Sequence, residues 1–193
     1  MMPDLLSRRA EFLSMQPVKS NGCDKILSAT YFDTRIGPML VIADDHAIYL
    51  LEFADRSNLE RKVERLKLQT KTTIIQGITN PIKSIIFELE SYFVGTLIEF
   101  KTPLHLLGTT FQKLAWTELM RIPYGQTTNY ATQAEAIEKR GSYRAVANAN
   151  GANQLVIVIP CHRIINSNGK LGGYNGGIAR KKWLIDHEKR NTQ

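Results

Sequence analysis

The sequence has few cysteines and no long apolar run. Its 193 residues include only two cysteines, too few for a disulfide framework. Its longest apolar runs, such as Leu155 to Pro160, are far shorter than the roughly 20 residues that a membrane-spanning helix requires. Residues 1–22 show no charged segment followed by an apolar one, as a secretory leader would. We therefore expect a cytoplasmic protein with reduced thiols and no membrane span.

Motifs for metals and nucleotides are missing as well. The two cysteines and four histidines show no C-x-x-C, H-x-H or H-E-x-x-H spacing. The glycine-rich stretch 169–177 lacks the G-x-G-x-x-G spacing of a phosphate-binding loop. We interpret it as a turn or as a close approach of the backbone to a ligand. We expect neither a metal ion nor a cofactor.

Charge is distributed unevenly along a chain of ordinary globular composition, 43% hydrophobic and 22% charged. Residues 1–120 hold 14 Lys and Arg and 14 Asp and Glu, whereas residues 121–193 hold 11 against 4. A basic segment beside a neutral one favours a polyanion such as nucleic acid as the partner. An ordinary solvated surface is the alternative.

The first part of the chain predicts a sheet with helices. Residues 1–22 have no sustained hydrophobic period, so we interpret them as a tail or a loosely docked segment. Residues 23–105 should form an α/β domain, in which an antiparallel meander is covered by two amphipathic helices. The predicted strands are 26–32, 38–43 and 47–53, and the predicted helices are 58–68 and 80–94.

The second part, residues 106–193, predicts a mainly helical domain. Two of its short helices flank a turn at Gly141 and resemble a helix-turn-helix. The β-branched run 155–159 predicts a buried strand. The predicted helices are 110–122, 130–137, 142–150 and 178–188.

The tetrapeptide Pro160-Cys161-His162-Arg163 directly follows the predicted strand. A lone cysteine in such a place is most often a core residue. A neighbouring cation, however, stabilises the thiolate, which is the reactive form. Since adjacent strand residues point to opposite faces, His162 would reach Cys161 only through a bridging water or after a turn at Pro160.

Several further motifs accompany this tetrapeptide and form, together with it, an ordered series. They are Ile122-Pro-Tyr-Gly125, Tyr143-Arg-Ala-Val-Ala147, Gly172-Gly-Tyr-Asn-Gly-Gly177, Trp183-Leu184 and His187-Glu188. The series resembles the O6-alkylguanine-DNA alkyltransferase family over about residues 109–188, and the preceding sheet agrees in layout only. The resemblance implies an N-terminal ribonuclease-H-like domain and a C-terminal winged-helix-like domain that contains the helix-turn-helix.

The resemblance also implies direct, single-turnover repair of O6-alkylguanine, and of O4-alkylthymine, in double-stranded DNA by a monomer. Cys161 would accept the alkyl group and keep it as a thioether. His162 would remove the thiol proton through a water, and Glu188 would hold and charge-stabilise His162. Tyr130 would donate its hydroxyl to guanine as negative charge develops there, and would crowd the phosphate of the target nucleotide. Without the resemblance, Glu188 would be interpreted as a solvated charge at a helix end.

The implied DNA contacts lie on the second helix of the helix-turn-helix and in the glycine-rich stretch. Arg144 would enter the base stack in place of the flipped nucleotide, and small residues beside it would let the helix approach the minor groove closely. Asn153 would brace this helix against the active-site strand. Tyr174 would line the pocket, the Asn175 amide would contact the base oxygen, and Gly176 would leave the pocket roomy. The small residues are Ala145, Ala147 and Ala149.

Three other functions compete with repair. A pure binding module that marks lesions would lack the acceptor, whereas Cys161 is present. A hydrolase with a Cys-His-Glu site would turn over after an initial burst. A transcription regulator would need base-reading side chains on its recognition helix, and the sequence offers few of them.

Overall fold

The computed structural model describes residues 25–192. The predictions for residues 1–22 and for Cys23 therefore lie outside the described residues. The chain divides into two compact units: the first extends to Glu90 and includes Lys101–His105, and the second consists of Ser91–Phe100 and the chain from Leu106 onward. No helix of the part described here is both long and apolar enough to cross a bilayer.

The first unit is built on a four-stranded sheet. Its strands are β1 (Lys25–Phe32), β2 (Met39–Ala43), β3 (Ile48–Phe53) and β4 (Thr72–Gln76), in the order β3-β2-β1-β4. The pairs β1–β2 and β2–β3 are antiparallel, as the meander predicts, and β4 lies parallel to β1. Every residue of β2 and β3 is buried, so these strands form the centre of the core.

Two helices accompany the sheet, α1 (Leu59–Thr70) and α2 (Asn80–Val94). Leu59, Val63 and Leu66 form the buried stripe of α1, which packs on β3 and β4. The spacing of four and then three residues places them on one face of the helix. The helix ends at Lys71, whose left-handed backbone (φ 51°) lets its N–H bond the Lys67 carbonyl.

The second unit contains four helices joined by short strands and turns, beyond the end of α2. In chain order its elements are α3 (Thr110–Met120), β5 (Thr128–Asn129), α4 (Tyr130–Ala136), α5 (Tyr143–Gly151), a single 3-10 turn (Cys161–Arg163), β6 (Ile164–Ile165) and α6 (Ile178–Arg190). Helices α3, α4 and α5 pack on one another around small and branched side chains, among them Ala134 and Val146. The fold class expected from the sequence, including the helix-turn-helix of α4 and α5, is confirmed.

Buried amides tie the helix-turn-helix together. The Gln133 and Asn150 side chains exchange two hydrogen bonds, at 3.2 and 2.7 Å, and Gln133 Nε2 also donates to the Ala115 carbonyl at 3.0 Å. Trp116 Nε1 donates to the Ala149 carbonyl at 2.8 Å. Because buried polar groups are costly when unpaired, these bonds fix α5 against α3 and α4.

The predicted strand 155–159 is wrong. All five of its residues are buried, but they form a tight turn in which the Ile159 N–H bonds the Leu155 carbonyl at 2.9 Å. Ile157 has a left-handed backbone with φ 73°, a conformation that no strand residue adopts. A short buried apolar run fits a strand or a packed turn equally well, which is why the pattern misled.

Candidate active site

The pairing of β5 with β6 brings the tetrapeptide close to the start of α4. Thr128 and Asn129 lie parallel to Ile164 and Ile165, which directly follow the 3-10 turn that carries Cys161. Asn129 also caps α4, because its side-chain oxygen accepts the backbone N–H groups of the next turn. Tyr130, the first residue of α4, is thereby held beside the Cys161 turn.

Asn153 fixes the position of the buried Cys161 thiol. Its Nδ2 lies 3.3 Å from Cys161 Sγ and 3.0 Å from the Ile159 carbonyl oxygen, and its Oδ1 accepts the Leu155 N–H at 2.9 Å. Asn153 itself is fully buried just after α5. It therefore connects the end of α5 to the turn before Cys161, in the place where the sequence analysis put the brace.

His162 and Glu188 form a buried pair. His162 Nε2 lies 2.8 Å from Glu188 Oε1, and neither side chain is more than 1% exposed. The 3-10 turn, with three residues per turn, removes the opposite-face geometry that a strand would have imposed on Cys161 and His162. His162 Nδ1 hydrogen-bonds no protein group among residues 25–192. It is therefore the ring nitrogen left to accept a proton.

The Glu188 carboxylate accepts hydrogen bonds from four residues. Besides His162, Arg163 donates through Nε (2.9 Å) and Nη2 (3.0 Å). The Tyr92 hydroxyl donates at 2.8 Å and the Gly125 backbone N–H at 3.1 Å. With both oxygens engaged in this way, the carboxylate has a single fixed orientation.

These contacts set the protonation states. Burial alone would raise the pKa of Glu188, but the hydrogen bonds and charges of His162 and Arg163 outweigh it and hold that pKa well below its usual range. Burial is the main reason why the pKa of His162 lies below its ordinary value, and the hydrogen bond to Glu188 only partly opposes it. At neutral pH the pair is thus a carboxylate and a neutral imidazole, whose Nε2 donates and whose Nδ1 carries the lone pair.

A cavity of about 310 Å³ opens beside the thiol. Its wall includes predicted pocket residues, namely Tyr130, Ala147, Cys161, Tyr174 and Asn175. Asn148, which the sequence analysis did not single out, also lines it. Gly176 is not on this wall, and its carbonyl accepts a hydrogen bond from Arg180 Nη1 at 3.2 Å.

Tyr130 and the glycine-rich stretch meet at this cavity. A Cβ on Gly172 would come within 3.2 Å of the Tyr130 hydroxyl, so only glycine lets the backbone approach the ring so closely. Burial and then the charge of Cys161 raise the pKa of Tyr130, which keeps its hydroxyl protonated. The Tyr174 ring lies edge-on to His162 with the centroids 6.3 Å apart, and Asn175 Nδ2 donates to the Gly151 carbonyl at the end of α5.

The predicted DNA-contact residues do not all face outward. Arg144 and Ala145 are exposed on α5, with the Arg144 guanidinium 5.7 Å from the Tyr143 ring centroid. Ala147 is half-buried at the cavity. Ala149, by contrast, is 3% exposed and packs in the core. It supports α5 from the inner side and is not part of the exposed face.

Sequence reasoning missed most of the groups around Glu188. Tyr92 lies 96 residues away in the chain and carried no signal beyond its place in an apolar helix. Arg163 was weighed only as a cation beside a thiol, whereas the structure directs it to Glu188 and, through Nη1, to the Ile122 carbonyl at 2.6 Å. Among residues 25–192, no three His, Cys, Asp or Glu side chains lie close enough together to hold a metal ion.

A helix-turn-helix followed by a buried cysteine, histidine and glutamate is the architecture that the motifs predicted. Two family profiles match the chain: "6-O-methylguanine DNA methyltransferase, ribonuclease-like domain" over residues 27–106, and the DNA binding domain of the same family over residues 110–190. The chain belongs to the 6-O-methylguanine DNA methyltransferase family. The resemblance drawn from the motifs is confirmed.

Individual relatives agree with this. The chain is 40% identical to a methylated-DNA–protein-cysteine methyltransferase of Shigella flexneri over 159 residues, which are 80% of this chain and 91% of that protein. It is 49% identical to the Mycobacterium bovis protein of that name over 102 residues, 53% of this chain but only 62% of that protein. The crystal structure of Mycobacterium tuberculosis OGT in complex with DNA covers 86% of this chain and 94% of its own, with 35% identity and a TM-score of 0.73.

Proposed function

We propose that this protein repairs O6-alkylguanine in double-stranded DNA by transferring the alkyl group to Cys161 in a single turnover. The observation that carries the proposal is the Cys161 thiol on the wall of a 310 Å³ cavity, next in sequence to the buried His162–Glu188 pair. A buried thiol is poorly ionised on its own, and a neutral imidazole held by a carboxylate supplies the base that it needs.

In the proposed reaction the thiol proton passes through a water to His162 Nδ1. The thiolate sulfur then attacks the alkyl carbon, so that the S–C bond forms as the C–O6 bond breaks. The electron pair left on guanine is stabilised by a hydrogen bond from the Tyr130 hydroxyl, which its raised pKa keeps protonated. The thioether at Cys161 has no leaving route to water, and one chain therefore repairs one base.

The same geometry requires the target nucleotide to leave the stack. A guanine inside a duplex cannot reach a thiol that is only 7% exposed, and flipping it out costs a few kcal/mol in stacking and pairing. The exposed Arg144 on α5 can fill the gap, and Ala145 beside it leaves room for the minor groove. O4-alkylthymine presents a similar alkylated oxygen, and we include it among the substrates.

The test is an intact-mass measurement after incubation with a duplex that contains one O6-methylguanine. A gain of one methyl group per chain, mapped by peptide analysis to Cys161, is the expected result. The variant Cys161→Ala should gain nothing and still bind duplex DNA. A methyl group on another residue, continued turnover beyond one equivalent, or repair by the alanine variant would contradict the proposal, and turnover would favour a hydrolase.

A further inference from the structure

Lys181 is a fully buried lysine on α6. Its Nζ donates to the carbonyl oxygens of Gly172 and Gly173, at 3.3 Å in each case. In the described part of the chain it forms no ion pair. Carbonyl groups at that distance offset only part of the cost of burying an ammonium group. A nearby negative charge would account for the rest.

The anion closest in function is the Cys161 thiolate. Gly173, whose carbonyl accepts from Lys181, lines the same cavity as Cys161. Burial lowers the pKa of Lys181, and the negative charge of Cys161 acts against that shift. Lys181 lies seven residues before Glu188, two helical turns away, and so faces the same side of α6. Its positive charge also contributes to the lowered pKa of His162.

We infer that Lys181 is a positioning residue for alkyl transfer, anchored on the Gly172 and Gly173 carbonyls, whose charge stabilises the Cys161 thiolate before the reaction. The inference rests on the proposed function. Lys181 itself exchanges no proton. It favours a thiolate at Cys161 and a neutral imidazole at His162, so the thiol proton passes over His162 to solvent and does not stay on the ring. After transfer the sulfur is a neutral thioether.

The experiment titrates the thiolate absorbance of the full-length protein against pH, with Cys161→Ser as the blank. Lys181→Met removes the charge and keeps an unbranched side chain of similar length. We expect it to raise the titration midpoint by about one pH unit or more, which is a tenfold loss of thiolate at pH values below both midpoints. Reaction with iodoacetamide at neutral pH should slow about tenfold, and the difference should vanish at high pH.

Two further variants separate charge from packing. Lys182→Met is the matched control, since Lys182 is the next residue, is mostly exposed and pairs with Asp186 at 2.5 Å. It should leave the midpoint unchanged. Lys181→Arg keeps the charge and should restore much of the wild-type midpoint. An unchanged midpoint in Lys181→Met, or equal shifts in the Met and Arg variants, would overturn the inference.

Methyl transfer by the wild-type protein is measured on the same preparation. If Cys161 accepts the methyl group while Lys181→Met titrates like the wild type, the inference fails and the proposed function stands. If the wild-type protein accepts no methyl group, the proposed function fails and the role of Lys181 in transfer fails with it.

Discussion

His162 Nε2 lies 2.8 Å from Glu188 Oε1, although 26 residues separate the two in sequence. The bond fixes the imidazole ring and decides which nitrogen carries a proton, so Nδ1 is the basic atom. Since Arg163 binds the same carboxylate through two nitrogens, the base and its support share one buried cluster of charge. The roles of these residues can therefore be separated by pH.

Glu188→Gln should destabilise the protein and flatten its response to acid. The pKa of Glu188 is depressed in the folded state, so this carboxylate contributes stability above its unfolded pKa, near 4.3, that is lost as pH falls. Its removal leaves the buried Arg163 charge uncompensated, at a cost on the order of 3 kcal/mol at neutral pH. Urea unfolding of both proteins from pH 7 to pH 3 measures this. Equal slopes below pH 5 would show that Glu188 is not held ionised by folding.

His162→Ala should slow methyl transfer through the thiolate population. The lowered pKa of His162 makes it a neutral base at pH 7, and without it the thiol depends on solvent for deprotonation. Single-turnover rates should differ most near pH 7 and converge above pH ~8.5, where a free thiol ionises by itself. The control is His46→Ala, at an exposed histidine of the first unit. A deficit that stays constant to pH 9 would indicate a structural role for His162.

Arg144→Ala should slow repair of duplex DNA and leave the reaction with free O6-benzylguanine nearly unchanged. Arg144 is exposed on α5 and is not among the residues lining the cavity, so it supports flipping and not bond breaking. A loss of ~1.4 kcal/mol of support would slow duplex repair about tenfold. Arg140→Ala removes an equivalent charge whose side chain is 87% exposed, and at saturating duplex it should repair at the wild-type rate. Equal losses on both substrates would place Arg144 in the reaction pocket.

Binding to unmodified duplex should weaken steeply with salt and depend little on sequence. The excess of 11 basic over 4 acidic residues in 121–193 implies phosphate contacts, each of which releases counterions. Fluorescence titrations at several salt concentrations, with two scrambled duplexes, give the slope and the discrimination. A flat slope would exclude a phosphate-dominated interface. Strong preference for one duplex would mean that α5 reads bases.

Local patterns in the sequence predicted the meander and most helices. Leu59, Val63 and Leu66 form the expected stripe on α1, and β1 to β3 pair as an antiparallel meander. The parallel strand β4 was missed because five residues after a helix carry too little periodicity to define a strand. The run 155–159 was misassigned because burial on all sides erases the alternation that separates strands from turns.

The site was harder to predict from the residues alone. Glu188 is followed by Lys189 and Arg190 and looks like a solvated helix end, yet it is 1% exposed. Its pairing with His162 followed only from the family resemblance. The donors Tyr92 and Gly125 belong to other segments of the chain, and only tertiary folding brings them to the carboxylate. The exposed side of α5 was foreseen, whereas the inward position of Ala149 depends on how α5 is rotated against Trp116.

The segment after α3 bears on how natural variants of this protein should be classified. The Ile122 carbonyl binds Arg163, and the Gly125 N–H binds Glu188, but neither residue lines the cavity beside Cys161. Gly125 has φ 76°, and a Cβ there would come within 2.2 Å of Thr192 Oγ1, so any side chain disturbs the N–H that supports the carboxylate. A substitution at Gly125 would thus present as slow chemistry in a protein whose thiol, pocket and DNA-facing helix are all intact. A survey that scores variants only by their distance from the lesion would class it as harmless.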